Sequence, residues 1–382
     1  MRETGTYQKL GDLNYFIPYP LPPTNPPLQM DGGMMTLYGE ASFALGQLNE
    51  MSQRLPDAKR FIKAYVIKEA LLSSAIEGVH TTLMEVFTTP LGEARRSKDT
   101  QLVLNYSQAL EAALSMLEKE GLPLVACVIL KAHQVLMSIG EGDKSDPGSF
   151  RKQSVRVGEL IPPPAMEVEN LMSNLEKYIN EDTQTPPLIK AGLAHVHFET
   201  IHPFLDGNGR IGRLLIVLMF IESGILKLPI LYPSYYFKKH HLEYYQRLDQ
   251  VRTHGYFEDW MRYYLHAIKD SAIDAYRRAK EIEELELKLK TLIKTDKSFS
   301  KMRETATNVL ELLFSQPITG ISWIGQTLGK AYNTIHHILE EFAVQELVSV
   351  SNSSKRNKLY YFKPYLELLE KEYEVQNLLE PI

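Results

Sequence analysis

The sequence predicts a mainly α-helical protein: a helical bundle core interrupted by one β-hairpin, then a small terminal domain of different texture. Three observations carry that fold class. From Leu37 to about Lys294, apolar residues recur at helical spacing and the runs close on Gly or Pro, as in YGEASFALGQLNEMSQRL, KRFIKAYVIKEALLSSAIEG and LVLNYSQALEAALSMLEKEG. One segment breaks the period. FRKQSVRVGELIPPPAMEVE (Phe150–Glu169) alternates around Gly158 and then carries a triple proline, which reads as a short hairpin. After Asp296 the segments shorten to TATNVLELLFSQ, SWIGQTLG and NTIHHILEEFAVQ, followed by the strand-like LVSVSNSSKRNKLYYF.

Taken in order, residues 1–30 read as irregular, because IPYPLPPTNPP (Ile17–Pro27) carries six prolines and suits neither a helix nor a central strand. An extended arm packed along its own domain explains this better than a polyproline recognition peptide. Helices fill the chain up to the hairpin and resume after it. LIKAGLAHVHFET (Leu188–Thr200) is one; Pro203 stops it, and a second starts near Asn208 and runs through RIGRLLIVLMFIESG. AIDAYRRAKEIEELELKLKTLIK (Ala272–Lys294) is a charged helix that reads as a connector. The three short helices and basic hairpin beyond it form a winged-helix pattern. The chain therefore divides into 1–115 (arm and first helices), 116–272 (core), 273–297 (linker helix) and 298–382 (winged-helix-like domain).

At 382 residues the chain is long enough for several domains and a large buried core. The formal net charge of -5, from 42 Lys and Arg against 47 Asp and Glu, argues against a chain that coats nucleic acid but not against a local basic patch. Cys127 is the only cysteine, so no intrachain disulfide can form, and MRETGTYQKLGDLNYF lacks the apolar core of a signal peptide. Apolar runs such as Leu214–Ile221 fall short of the ~20 residues that a membrane span needs. The expectation is a cytoplasmic protein without membrane contact.

The densest cluster of reactive groups is FETIHPFLDGNGRIGRLL, Phe198–Leu215. Its loop feeds the N-terminus of a helix, where unpaired N–H groups and the dipole favour an anion. Gly207 and Gly209 let the backbone approach a ligand closely. Arg210 and Arg213, three apart, project from one helix face near that end and suit a polyphosphate. Asp206 suits a Mg²⁺ between phosphates, since this ion takes one or two carboxylates and keeps its waters. His202 is placed to take a proton from an incoming hydroxyl.

HPFLDGNGRIGR (His202–Arg213) resembles the active-site motif of the Fic family over its full length. The resemblance extends over most of the chain: the core, the helices before it and the winged-helix tail that many members carry. It implies a Fic-type helical bundle with a β-hairpin flap, and transfer of AMP from ATP to a Ser, Thr or Tyr hydroxyl of a target protein, with loss of pyrophosphate. On that resemblance His202 would be the general base and Asp206 the metal site. Gly207, Asn208 and Gly209 would form the anion hole. Arg210 and Arg213 would hold the outer phosphates, with Ile211 and Gly212 between them in the phosphate-binding segment. The hairpin Gln153–Pro164 looks like the flap that docks an extended target segment as an added strand. SYYFKKHHLEYYQRL (Ser234–Leu248) falls where the family lines the base, with His240 standing where the family would carry Asn. A homodimer is compatible with this reading.

SSAIEG (Ser73–Gly78) closes a predicted helix and resembles the family's inhibitory motif. A carboxylate at a helix C-terminus is electrostatically disfavoured, so Glu77 needs a cation or a task. The resemblance implies that Glu77 pairs with Arg213 and blocks productive ATP binding, with Ser73 and Gly78 completing the motif. A rival reading notes that Glu77-x-x-His80 and Glu199-x-x-His202 are spaced as in di-metal carboxylate bundles, although Gly78 and Pro203 put both pairs at helix ends. A third reading makes the chain a regulator whose tail binds DNA, with Tyr332–His337 opening a recognition helix and Lys355, Arg356 and Lys358 on a wing; Glu340 and Glu341 on the same helix weaken it, and a protein partner is the other use of such a tail. His195 and His197, two apart on a helix, read as packing residues.

Overall fold

The structure is a computed structural model and describes residues 2–54, 58–89, 97–138, 146–351 and 358–372. The arm is not wholly irregular. Strands β1 (Gly5–Leu10) and β2 (Leu13–Pro18) pair antiparallel around a tight turn, with Leu10 opposite Leu13, and the proline-rich stretch begins only at the end of β2. α1 (Gly32–Arg54) and α2 (Ala58–Ile76) follow. α3 (Leu83–Thr88) starts on a capping box, in which Thr82 and Glu85 each satisfy the other's backbone N–H. α4 (Lys98–Glu118) is capped by Ser97.

The core consists of α5 (Ala126–Leu136), α6 (Ala165–Glu181), α7 (Pro187–Ile201) and α8 (Asn208–Glu222). α7 and α8 pack against each other and are buried on nearly every side, because their sequences are apolar around the whole circumference rather than along one stripe. The segment expected as a hairpin is mostly irregular. Its turn closes between Val157 and Leu160, whose N–H groups donate to each other's carbonyls at 2.9 and 3.0 Å.

Short α9 (Ser234–Lys239) and α10 (His241–His254) lead into α11, which runs unbroken from Phe257 to Thr295. The charged segment expected as a linker is the second half of this helix. Its buried stripe, including Ala275, Ala279, Ile282 and Leu289, continues the packing of the first half. α12 (Arg303–Ser315), β3 (Ile318–Gly320), α13 (Ile321–Leu328), α14 (Tyr332–Val344), β4 (Val348–Val350), β5 (Leu359–Phe362) and α15 (Lys363–Glu370) complete the chain. The last sheet is antiparallel with order β3-β5-β4. Buried apolar residues from α1 to α15 form one contiguous cluster, so the terminal segment is packed onto the core.

Candidate active site

The centre is the connection between α7 and α8. His202 caps α7 in the left-handed region, φ 51° and ψ 62°, which a residue with a Cβ occupies only when its surroundings hold it. Its N–H donates to Phe198 O at 2.9 Å, and its carbonyl accepts from Arg151 Nε at 2.8 Å. The remaining nitrogens of Arg151 donate to Gln153 O at 3.0 Å and Pro163 O at 2.6 Å, one on each arm of the flap. One buried cation thus fixes both the flap's base and the backbone of His202. Burial lowers the Arg151 pKa to about 10, which still leaves it charged at neutral pH.

The loop itself is pinned by two further side chains. Asn208 accepts from Phe204 N–H and donates to Phe204 O, both at 2.8 Å. His133 stacks on the Phe204 ring, with centroids 3.7 Å apart. Its Nδ1 accepts from Gly148 N–H at 3.0 Å, which assigns the proton to Nε2, 3.1 Å from Asp206 O. Burial pushes the His133 pKa down to about 4, so the ring stays neutral. Gly207, at φ 79°, turns the chain into α8 in a conformation that glycine takes without steric cost.

A cavity of about 570 Å³ opens onto His202, Gly209 and Arg213. The flap turn lies on one side of it and Tyr244, Tyr245 and Leu248 of α10 on the other. Arg213 is fully buried. It donates from Nε to Ser73 Oγ at 2.9 Å, and from Nη2 to Ser73 O at 2.9 Å and Glu77 Oε1 at 2.7 Å. Burial opposes its charge, but the negative groups around it, Glu77 foremost, hold its pKa above the ordinary arginine value. Glu77 stands in the turn just after α2, and its carboxylate lies on the backbone of α8, where a side chain at Gly209 would collide with it. The His202 pKa is driven down to about 4 by burial, against the effect of the Glu199 main chain, so the imidazole is neutral near pH 7. Its Nδ1 is buried and makes no hydrogen bond of ordinary geometry.

Motif residues fall in three places. His202, Gly209, Glu77 and Arg213 line the cavity, and Ser73 stands behind Arg213. Arg210 does not join them on that wall. A spacing of three residues leaves about 60° between the two arginines around the helix, and Arg210 is buried toward α5, with Nη2 3.4 Å from Asp206 Oδ1 and 3.9 Å from Met137 Sδ. Its Nε and Nη1 are buried without protein partners. Asp206 is exposed and accepts from Gly207 N–H at 2.6 Å. Ile211 is a core packing residue, and Gly212 makes room for the carboxylate of Glu199. His240 sits at the junction of α9 and α10 with its ring 4.3 Å from that of Tyr236; Tyr244, Tyr245 and Leu248 are the residues of that stretch on the cavity wall. Gly78 supplies the left-handed turn that leaves α2.

His195 is a packing residue, with Nδ1 2.8 Å from Gly212 O and Nε2 2.8 Å from Tyr244 Oη. Glu77 and Glu199 do converge, but on Arg213. Among the described residues no group of three or more His, Cys, Asp or Glu side chains is placed to hold a metal. Lys355 and Arg356 lie outside the described residues. Sequence reasoning missed Arg151, His133 and the role of Glu199. Their partners are main-chain atoms or residues distant in sequence, and the one available signal was the three-residue spacing of Glu199 from His202.

Two family models match this chain. Residues 35–115 match the Fic/DOC family N-terminal model and residues 123–220 the Fic/DOC family model. The protein adenylyltransferase Fic of Drosophila erecta is 31% identical over 188 residues, covering 47% of this chain and 37% of that protein. That of Drosophila melanogaster is 30% identical over 188 residues, with the same shares. The match thus spans little more than a third of the length of these relatives. The fold resembles the crystal structure of a Fic family protein from Desulfovibrio desulfuricans G20, with a TM-score of 0.57 at 22% identity, covering 88% of this chain and 98% of that one. It also resembles a Fic domain containing signaling protein from Bacteroides thetaiotaomicron VPI-5482, with a TM-score of 0.51 at 20% identity, covering 63% and 96%. At these identities the likeness concerns the fold. Among the described residues, no helix is long and apolar enough to cross a membrane.

Proposed function

We propose that this chain is a protein adenylyltransferase that moves AMP from ATP to a Ser, Thr or Tyr hydroxyl of a target protein, and that Glu77 holds it in a weakly active state. The match to the Fic/DOC models and the name of the relatives support the transferase reading. The observation that carries the brake is the Glu77 carboxylate, bonded to Arg213 at 2.7 Å and seated on Gly209 inside the cavity that holds His202.

In the forward reaction the target oxygen attacks the α-phosphorus. The bond from that phosphorus to the bridging oxygen breaks, and pyrophosphate leaves. His202 is neutral and takes the hydroxyl proton. The N-terminal N–H groups of α8 stabilise charge that grows on phosphate oxygens. One exposed carboxylate, Asp206, beside a phosphate site matches what Mg²⁺ takes from protein, and the ion would supply charge neutralisation between phosphates. A target segment would lie along the flap, Gln153–Pro164, with its hydroxyl toward His202. The tail's helix order and its β3-β5-β4 sheet support a winged-helix reading, with DNA or a protein as its partner.

Glu77 neutralises the cation meant for the outer phosphates and adds a negative charge beside them. The test is parallel labelling of wild type, Glu77→Gly and Arg213→Ala with α-labelled ATP at matched folded concentration. Glu77→Gly is expected to raise incorporation by at least ~10-fold, since a misplaced α-phosphate costs up to ~10²-fold. Arg213→Ala should not mimic it, because it discards the phosphate ligand along with the brake. Equal incorporation by wild type and Glu77→Gly would refute autoinhibition by this pair.

A further inference from the structure

We propose that Glu199 is a positioning residue for Arg213: it is the arginine's second carboxylate and keeps the guanidinium aligned for the nucleotide's outer phosphates once Glu77 has withdrawn. The inference rests on the adenylyltransferase reading.

Arg213 faces carboxylates from two elements, Glu77 after α2 and Glu199 in the last turn of α7. Their environments differ. The Glu77 side chain is 33% exposed and can leave toward solvent, whereas Glu199 is 7% exposed and is enclosed. Their bonding differs too. Glu77 commits Oε1 to Arg213, while Glu199 Oε1 is buried with no hydrogen-bond partner, lodged against Gly212 one residue before Arg213. A buried carboxyl oxygen without a partner is costly, and the adjacent arginine is the group that can satisfy it when Glu77 departs. A side chain at Gly212 would expel Glu199 from that notch, so the glycine and the carboxylate belong to one arrangement.

The charged and titratable groups facing Glu199 are Arg213 on α8, Glu77, and Arg252 on α10. Tyr244 and Tyr245 of α10 also sense it. Arg252 donates to Asp249 at 3.1 Å and its Nε is buried without a hydrogen-bond partner, but of the two cations Arg213 acts on Glu199 the more strongly. Burial raises the Glu199 pKa to about 7; Arg213 lowers it and Glu77 raises it. Above that pH the carboxylate holds Arg213, and below it the neutral acid lets the guanidinium drift.

The experiment measures kcat and KM for ATP against pH in Glu77→Gly, with and without Glu199→Gln, and checks folding by thermal unfolding. Glu199→Gln should lower kcat ~10-fold through loss of alignment. KM should hold or fall, because a negative charge near the phosphates is gone. The kcat of Glu77→Gly should rise with pH, with its midpoint below about 7 because the Glu77 charge that raises the Glu199 pKa is gone, and the second substitution should remove that rise. Glu199→Asp in the same background retains the charge, so it should keep the rise while lowering kcat; it also serves if Glu199→Gln does not fold. Unchanged kcat and an unchanged pH profile on Glu199→Gln would overturn the proposal. So would a fall in kcat matched by a rise in KM, or loss of the pH rise in Glu199→Asp. If Glu77→Gly itself shows no gain over wild type, the brake fails rather than the role of Glu199.

Discussion

His202 owes its position to its backbone and its neutral state to its burial. The left-handed conformation turns the imidazole out of α7 and into the cavity, and a pKa near 4 keeps it unprotonated. His202→Ala is expected to cost on the order of 10²–10⁴ in transfer rate, as loss of a general base does. ATP binding, measured by calorimetry, should persist because the ring is not needed to hold phosphate; wild-type labelling by the Ala variant would remove His202 from the reaction. Arg151 gives a second prediction at this scale. Its planar fork reaches His202 O, Gln153 O and Pro163 O together, which the single ammonium of lysine cannot do. Arg151→Lys should therefore lower transfer to a protein target several-fold at unchanged affinity for ATP, roughly the effect of a sub-ångström shift of the base. A fall in ATP affinity instead would mean that Arg151 supports the nucleotide site and not the flap.

Among the elements, those that a local pattern specifies were legible and those that a distant partner specifies were not. α7 and α8 follow from the apolar runs on either side of Pro203, and the end of α2 follows from Gly78. The β1–β2 hairpin left little trace, because GTYQKL is polar and mostly exposed and the proline run after it reads as a breaker. What orders the hairpin lies far along the chain. Phe16 N–H donates to Ile161 O at 2.9 Å, Tyr15 Oη meets Ser154 Oγ at 2.6 Å, and Thr4 Oγ1 donates to Arg252 O at 2.9 Å. The arm thus braces both the flap and the end of α10 that walls the cavity. Tyr15→Phe deletes one bond worth about 1 kcal/mol and should loosen the flap. Its expected signature is faster amide hydrogen exchange at 153–161 and weaker labelling of a protein target, with ATP affinity intact. Unaltered exchange there would show that the arm merely covers the core.

At the scale of the whole molecule, the tail packs on α2, the helix that leads to Glu77, the brake we propose. The C-terminal end of α2 leads directly to Glu77, and the rest of α2 is gripped from two sides. Toward the core, Glu69 accepts from Ser234 N–H at 3.1 Å and Ser234 Oγ at 2.5 Å. Toward the tail, Lys63 donates to Gln316 Oε1 at 3.0 Å and Lys68 to Leu369 O at 3.1 Å. Gln316 is the junction: its Nε2 also donates to Phe87 O at 2.6 Å and Ile318 O at 2.9 Å, and it is buried. The composition shift after Asp296 marks a terminal domain in the sequence, but composition does not report what a surface is packed against. Gln316→Ala removes these bonds and leaves the Phe87 carbonyl short of a donor, a loss of roughly 1–3 kcal/mol. Two outcomes are expected together. The melting temperature should fall by a few degrees at most, about 1 °C per kcal/mol for a chain of this length at roughly 2.1 cal/mol/K of unfolding entropy per residue. Unstimulated AMP transfer should rise, because a looser α2 releases Glu77 from Arg213 more often. In a Glu77→Gly background the same substitution should lower stability equally yet add nothing to the rate, since no brake remains to release. A further rise in that background would place the tail's influence on the catalytic core itself, and a drop in stability with no change in wild-type rate would mean that the grip on α2 does not reach Glu77.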